Sequence, residues 1–301
     1  MSDASPWTAP GHRIRAYDYP SPSLPWAAQR VVRALWRGPV VTGGQRDIPE
    51  EIPVALTYNG SAHAVMMASP CNLEDFAVGF SLTEGVVSDP VQIESLEVIP
   101  VAQGIELRMW IARYRDEALR QRRRCLAGPT GCGLCGLESI ADALRPIREV
   151  QSDFAVPASS ITAALAEITT RQHLNRQTHA VHAAAWCRPG QEMVLREDVG
   201  RHNALDKLAG ALARKLVTAE TGFLLLSSRV SIEMVQKSAA IGVPIIVAIS
   251  APTALAVRAC DWAGMTLIAV ARQDGFEVFT HPRRIHGGKA CSSRPSLKAC
   301  R

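Results

Sequence analysis

The sequence has no uninterrupted apolar run of about eighteen residues, so nothing in it reads as a membrane-spanning helix. It also lacks an apolar core in its opening Met-Ser-Asp-Ala-Ser-Pro-Trp, which is not the pattern of a secretory signal. A cytoplasmic protein is the expectation. There eight cysteines would stay mostly reduced, which favours catalysis or metal binding over structural disulfides. A strong excess of one charge is missing too: the net charge is +5 over 301 residues. That suits an anionic ligand and argues for neither a nucleic acid nor a membrane partner. A zinc deaminase signature is incomplete, because no glutamate follows His63 at the required spacing and Gly131 stands where a proline would precede Cys132.

What is present is Gly131-Cys132-Gly133-Leu134-Cys135-Gly136, a CxxC pair in a stretch too glycine-rich for regular structure. A thiol so placed can become a reactive thiolate when a neighbouring thiol or positive charge lowers its pKa. Arg122-Arg123-Arg124 and Cys125 lie just upstream. The arginines read equally as a solvated face or as a means of attracting an acidic partner and activating the thiols. His179 and His182 could complete a Cys2His2 zinc site with Cys132 and Cys135, or form a structural pair. Cys71, Cys187 and Cys260 sit in or beside apolar elements and read as small core residues.

Proline and composition divide the chain into a disordered tail (1–30), a β-rich N-terminal subdomain (31–124), the CxxC loop and linker (125–150), an α/β domain (151–286) and a second disordered tail (287–301). Asn59-Gly60 between apolar runs predicts a hairpin. Asn72 is the expected N-cap of a helix ending near Gly85. Beyond residue 160, helices near 160–172, 201–217, 231–242 and 253–263 alternate with short apolar strands at 181–187, 223–226, 245–250 and 266–271. That alternation predicts a layered sheet with helices on both faces. Leu205, Leu208, Leu212 and Leu216 define one expected buried stripe.

Ligands of such sheets bind outside the carboxyl ends of the strands. Polar clusters fall there: Thr178 to His182, Arg196 to Asn203, Ser227 to Ser231 and Ser250 to Thr253. Three of them are strand-to-helix turns, which offer free N–H groups to phosphate. Ser231 and Thr253 read first as plain N-caps. The three turns together suit an anionic, nucleotide-sized ligand, and His179 or His202 could move a proton.

Leu73 to Phe80 with Glu84-Gly85, the Gly131 to Gly136 loop with Glu138-Ser139, Thr178-His179 with His182, Arg196 to Ala204 with Asp206-Lys207, Ser227-Ser228-Arg229, and Ser250 to Thr253 together resemble the FdhD/NarQ family. The likeness runs from about Val40 to Ile285. It implies an α/β fold similar to cytidine deaminases and a sulfurtransferase activity. Sulfur would pass from a cysteine desulfurase to the molybdenum or tungsten bis-molybdopterin guanine dinucleotide cofactor of formate dehydrogenase. By the same resemblance Cys132 is the persulfide carrier and Cys135 the second thiol. The cofactor contact maps onto Phe276, Glu277, Val278, Phe279, Thr280 and His281, a GDP-like nucleotide could occupy the same place, and the protein is expected to be a homodimer. Ser228 and His202 fall among the motif residues; for the acceptor that the resemblance implies, Arg229 or Arg201 would suit its pyrophosphates and Asp198, Asn203 or Asp206 could read its guanine edge. The alternative is a guanine-dinucleotide-binding chaperone whose CxxC clamps zinc or a partner.

Overall fold

A computed structural model describes residues 26–115 and 146–288. Cys125, Cys132, Cys135 and the Arg122 to Arg124 run lie outside the described residues. The chain first forms a hairpin of two ten-residue strands, β1 (Ala28–Arg37) and β2 (Val40–Pro49). β1 begins inside the stretch expected to be a tail, because the prolines stop at Pro25 and strand-forming Val31, Val32 and Trp36 follow.

A four-stranded sheet comes next, in the order β4-β3-β6-β5, from β3 (Ile52–Tyr58), β4 (Ser61–Ala68), β5 (Ile93–Val101) and β6 (Gly104–Ile111). Asn59 and Gly60 both have positive φ, 48° and 76°, which the expected tight turn between β3 and β4 requires. One sheet face buries Val54, Leu56, Leu107 and Met109 under α1 (Leu73–Thr83). Asn72 precedes α1 but does not cap it. Its backbone is left-handed (φ 52°), and its side chain makes no cap hydrogen bond, so the expected N-cap is corrected here.

The larger sheet has six strands in the order β13-β12-β11-β10-β8-β9. These are β8 (His182–Cys187), β9 (Val194–Asp198), β10 (Phe223–Leu226), β11 (Ile245–Ala248), β12 (Thr266–Arg272) and β13 (Gly275–Val278). A short parallel pair, β7 (Val156–Pro157) with β14 (Ile285–His286), lies outside it. The helices are α2 (Ala158–Arg171), α3 (His173–Thr178), α4 (Arg201–Arg214), α5 (Ile232–Ala240) and α6 (Ala254–Trp262). Alternation along β10 explains why both faces are apolar. Phe223 and Leu225 pack with Ile161, Leu165 and Ile168 of α2, while Leu224 and Leu226 pack with residues of α4, α5 and α6. Each such side chain stabilises the fold by about 1.5–3 kcal/mol. Helices therefore cover both faces, in a mixed α/β architecture. Leu216 departs from its expected stripe. α4 stops at Arg214, Leu216 takes φ 55°, and its side chain is 89% exposed.

α1 lies against α4 and joins the smaller sheet to the larger. Asp75 on α1 accepts from Arg196 at 2.7 Å and from Arg214 at 2.6 Å. Further along, Lys237 of α5 contacts Asp206 at 2.9 Å and Glu84 at 2.6 Å, and Thr83 donates to Asp206 at 2.6 Å. Burial works against the charge on Lys237, but Asp206 and Glu84 outweigh it and hold the ammonium above its ordinary pKa.

Candidate functional site at the carboxyl edge of the sheet

β10, β11 and β12 are parallel, and β8 is antiparallel to β10. Because β9 is antiparallel to β8 in turn, β9 runs in the direction of β10. The carboxyl ends of β9, β10, β11 and β12 therefore lie on one edge, and β8 enters the sheet from that same edge. This topology brings together His182, Arg201, His202, Ser227, Ser228 and Arg229. Linear sequence holds them as much as 47 positions apart, between His182 and Arg229.

Hydrogen bonds fix the turns. Ser227 Oγ accepts from Ala183 N at 2.8 Å, and Ser227 N donates to Ala183 O at 3.0 Å. Val230 and Pro252 form a parallel bridge between the turns after β10 and β11, and Thr253 N donates to Val230 O at 2.9 Å. Thr253 caps α6 through a 3.2 Å bond from Ala256 N, as expected. Ser231 makes no such side-chain cap at α5. Its hydroxyl is buried without a hydrogen-bond partner among the described residues. Burial tends to raise Glu233, but the nearby Ser231 hydroxyl, its own N–H, His202 and Arg201 leave the carboxyl below its usual range.

Both imidazoles here are biased towards the neutral form. Burial, followed by the Arg201 charge, lowers His182 despite the opposing pull of Asp198. Burial, then Arg201 and Lys237, lowers His202 to about 4, against the opposite pull of Glu233 and Glu84. A neutral imidazole can accept a proton but does not clamp an anion. Arg201 Nε and His202 Nε2 are buried without a hydrogen-bond partner among the described residues, which is costly unless a ligand or water meets them. Arg229 is exposed and free to reach outward.

Asp198, Asn203 and Asp206 differ from the expected guanine readers. Asp198 is fully buried and accepts from Gly200 N at 2.8 Å, Asn203 Nδ2 at 3.0 Å, Ser69 N at 3.0 Å and Lys207 Nζ at 2.6 Å. Asn203 Nδ2 also donates to Met67 O at 2.8 Å. Asp206 is held by Lys237 and Thr83. These groups hold the N-terminal sheet to α4, and their burial leaves no edge for a base. The partners that explain them, Ser69, Thr83 and Lys237, lie more than thirty residues away, and Lys237 belongs to no motif read from the sequence.

The Phe276 to His281 stretch is not gathered with the turns. β13 is antiparallel to β12, starts beside Arg272 at the carboxyl edge, and runs to the opposite edge. Thr280 is buried there. Its hydroxyl donates to Met265 O at 2.7 Å and accepts from Leu267 N at 2.8 Å, so it serves the fold. His281 Nε2 lies 2.9 Å from Asp261 O. Phe276 packs into the core on the α2 side, while Glu277, Val278 and Phe279 are exposed. Arg272, overlooked in the sequence, joins the carboxyl edge by a bond to Ile249 O.

His179 sits at the end of α3 with φ 56° and is exposed. Among the described residues no group of His, Cys, Asp or Glu is arranged to hold a metal, and no helix is long and apolar enough to cross a membrane. Cys187 and Cys260 are buried, and burial pushes both thiols up to about 12, in keeping with inert core residues. Cys71 is half-buried, 3.9 Å from Lys207 Nζ, and its pKa is also raised by burial.

Known proteins supply the remaining comparison. Residues 49–286 match the FdhD/NarQ family. The chain is 49% identical over 259 residues to the "Sulfur carrier protein FdhD" of Agrobacterium fabrum, covering 85% of this chain and 96% of that one. It is 44% identical to the protein of the same name from Bordetella petrii, covering 89% and 97%. A crystal structure of a formate dehydrogenase accessory protein from Desulfotalea psychrophila is similar with a TM-score of 0.69 at 25% identity, over 86% of this chain and all of that one.

Proposed function

The chain belongs to the FdhD/NarQ family, and from that membership we propose that it carries sulfur as a persulfide on Cys132. The donor is a cysteine desulfurase. The acceptor is a molybdenum bis-molybdopterin guanine dinucleotide bound for formate dehydrogenase, and the protein acts in the cytoplasm as a homodimer. The observation that carries this reading is a CxxC pair in a chain that matches, over most of its length, proteins named sulfur carriers.

The Cys132 thiolate would attack the outer sulfur of the donor persulfide and release the donor cysteine as thiolate, leaving Cys132-S-SH. Cys135 is the second thiol. The acceptor is a substrate with two pyrophosphates, for which free N–H groups at the starts of α4 and α5, with Arg201, Ser228 and Arg229, are apt partners. Neutral His202 or His182 is suited to proton transfer. The Phe276 to Phe279 strip, implied by the family resemblance, would meet the same large substrate from the exposed edge strand. Helices on both faces of the six-stranded sheet support the cytidine deaminase-like arrangement that the resemblance implies.

Incubation of the purified chain with a cysteine desulfurase and cysteine tests the reading. Mass spectrometry is expected to find one added sulfur atom on Cys132, reversed by a thiol reductant and absent from Cys132→Ala. Absence of any sulfur adduct on the wild-type chain would overturn it.

A further inference from the structure

Four side chains meet where α4 and α5 begin side by side at the carboxyl edge. Arg201 and His202 stand in the first turn of α4, Ser231 immediately precedes α5, and Glu233 stands in its first turn. Three of the four carry a polar atom buried without a hydrogen-bond partner among the described residues: Arg201 Nε, His202 Nε2 and Ser231 Oγ. Arg201 Nε can only donate, whereas the hydroxyl and the imidazole serve either way. Three such atoms left unmet are costly, so the junction calls for a polar ligand.

Glu233 decides which kind. The other carboxylates of this junction are taken, Asp198 by Lys207, and Asp206 and Glu84 by Lys237. Glu233 is half-buried and has no salt-bridge partner among the described residues. Burial works against its charge, but the Ser231 hydroxyl, its own N–H, His202 and Arg201 together keep it ionised. An ionised carboxylate repels a phosphate, and it equally repels the ring acceptor N1 of an adenine. It accepts well from two adjacent N–H donors. A guanine presents such a pair on one edge, N1–H beside the 2-amino group, and its O6 next to them is an acceptor that a donor such as Arg201 Nε satisfies.

We propose that Glu233 selects a guanine base by accepting from its N1–H and 2-amino group, with Arg201 Nε donating to O6. The inference rests on the guanine-containing acceptor of the reading above. It deepens that reading by naming the residue that chooses the base, a role closed to Asp198, Asn203 and Asp206 by their burial. The outer nitrogens of Arg201 and the exposed Arg229, on the turn ahead of α5, are left for the phosphates.

Calorimetric titration of the full chain tests this with GDP, with inosine diphosphate, which lacks the 2-amino group, and with xanthosine diphosphate, which carries a carbonyl in its place. The wild type is expected to bind GDP roughly tenfold more tightly than the inosine nucleotide and roughly 30-fold more tightly than the xanthosine nucleotide, whose carbonyl meets a carboxylate. Glu233→Gln, its fold verified by thermal unfolding, is expected to reverse the order of GDP and the xanthosine nucleotide. The amide keeps one acceptor for N1–H and turns a donor towards the new carbonyl. Affinities that fall together without reversal, or an unchanged preference for GDP, would overturn the role of Glu233 and leave the sulfur-carrier reading standing. Equal binding of GDP and the inosine nucleotide by the wild type would overturn it without any variant. A wild type that binds no GDP would overturn both this contact and the guanine-dinucleotide acceptor, whereas a missing sulfur adduct on Cys132 would overturn the carrier role alone.

Discussion

Gly79 on α1 and Gly210 on α4 face each other's backbones at the helix crossing. A Cβ on Gly79 would lie 1.7 Å from Asp206 O, and one on Gly210 would lie 1.9 Å from Asp75 O. Neither residue is in a left-handed conformation, so the demand is for space alone. The close approach lets Asp75 and Thr83 of α1 reach Arg196, Arg214 and Asp206.

Gly79→Ala or Gly210→Ala should push the helices apart and break those bonds together. The expected loss is about 3–5 kcal/mol, larger than an exposed glycine-to-alanine change in a helix, which normally stabilises. Chemical denaturation measures it. A variant as stable as the wild type would show that the crossing relaxes without cost.

Acid should weaken the fold through His202. Its ordinary pKa near 6.5 falls to about 4 in the folded chain, so the unfolded chain binds the proton more readily between those values. The contribution is fully present above about pH 6.5 and is lost as pH falls towards 4. Allowing for partial exposure, the loss is about 2 kcal/mol. Urea unfolding of wild type and His202→Gln across that window checks the sign, since the variant should show a flatter dependence. A steeper one would contradict the assignment.

At the carboxyl edge, Arg229→Ala should weaken GDP binding about tenfold, the scale of one charge-assisted hydrogen bond. Arg229 is exposed, so the melting temperature should not move. Calorimetric titration with GDP gives the affinity. Unchanged affinity would remove Arg229 from the proposed phosphate contacts.

Strands were legible where local pattern decides them. Phe223–Leu226 and Ile245–Ala248 are apolar throughout because helices cover both faces, and the Asn59-Gly60 turn carries the backbone freedom its hairpin needs. The polar clusters were legible as turns, but which of their side chains face outward was not. Asp198 and Asn203 look like ligands in a linear reading; their partners Ser69 and Met67 lie more than 125 residues away, and no spacing rule reaches that far. Asn72 misled for the opposite reason. A residue type favoured at caps is also one that tolerates left-handed backbone, and here the second property prevails.

α4 serves two structures at once. Its first turn carries Arg201 and His202 at the ligand edge, and its middle carries Asp206, Lys207 and Gly210 against the smaller sheet. At 14 residues it spans about 21 Å, so one continuous helix links the two. The seat of the N-terminal sheet against this helix thus also sets where the two unsatisfied nitrogens of the candidate site stand.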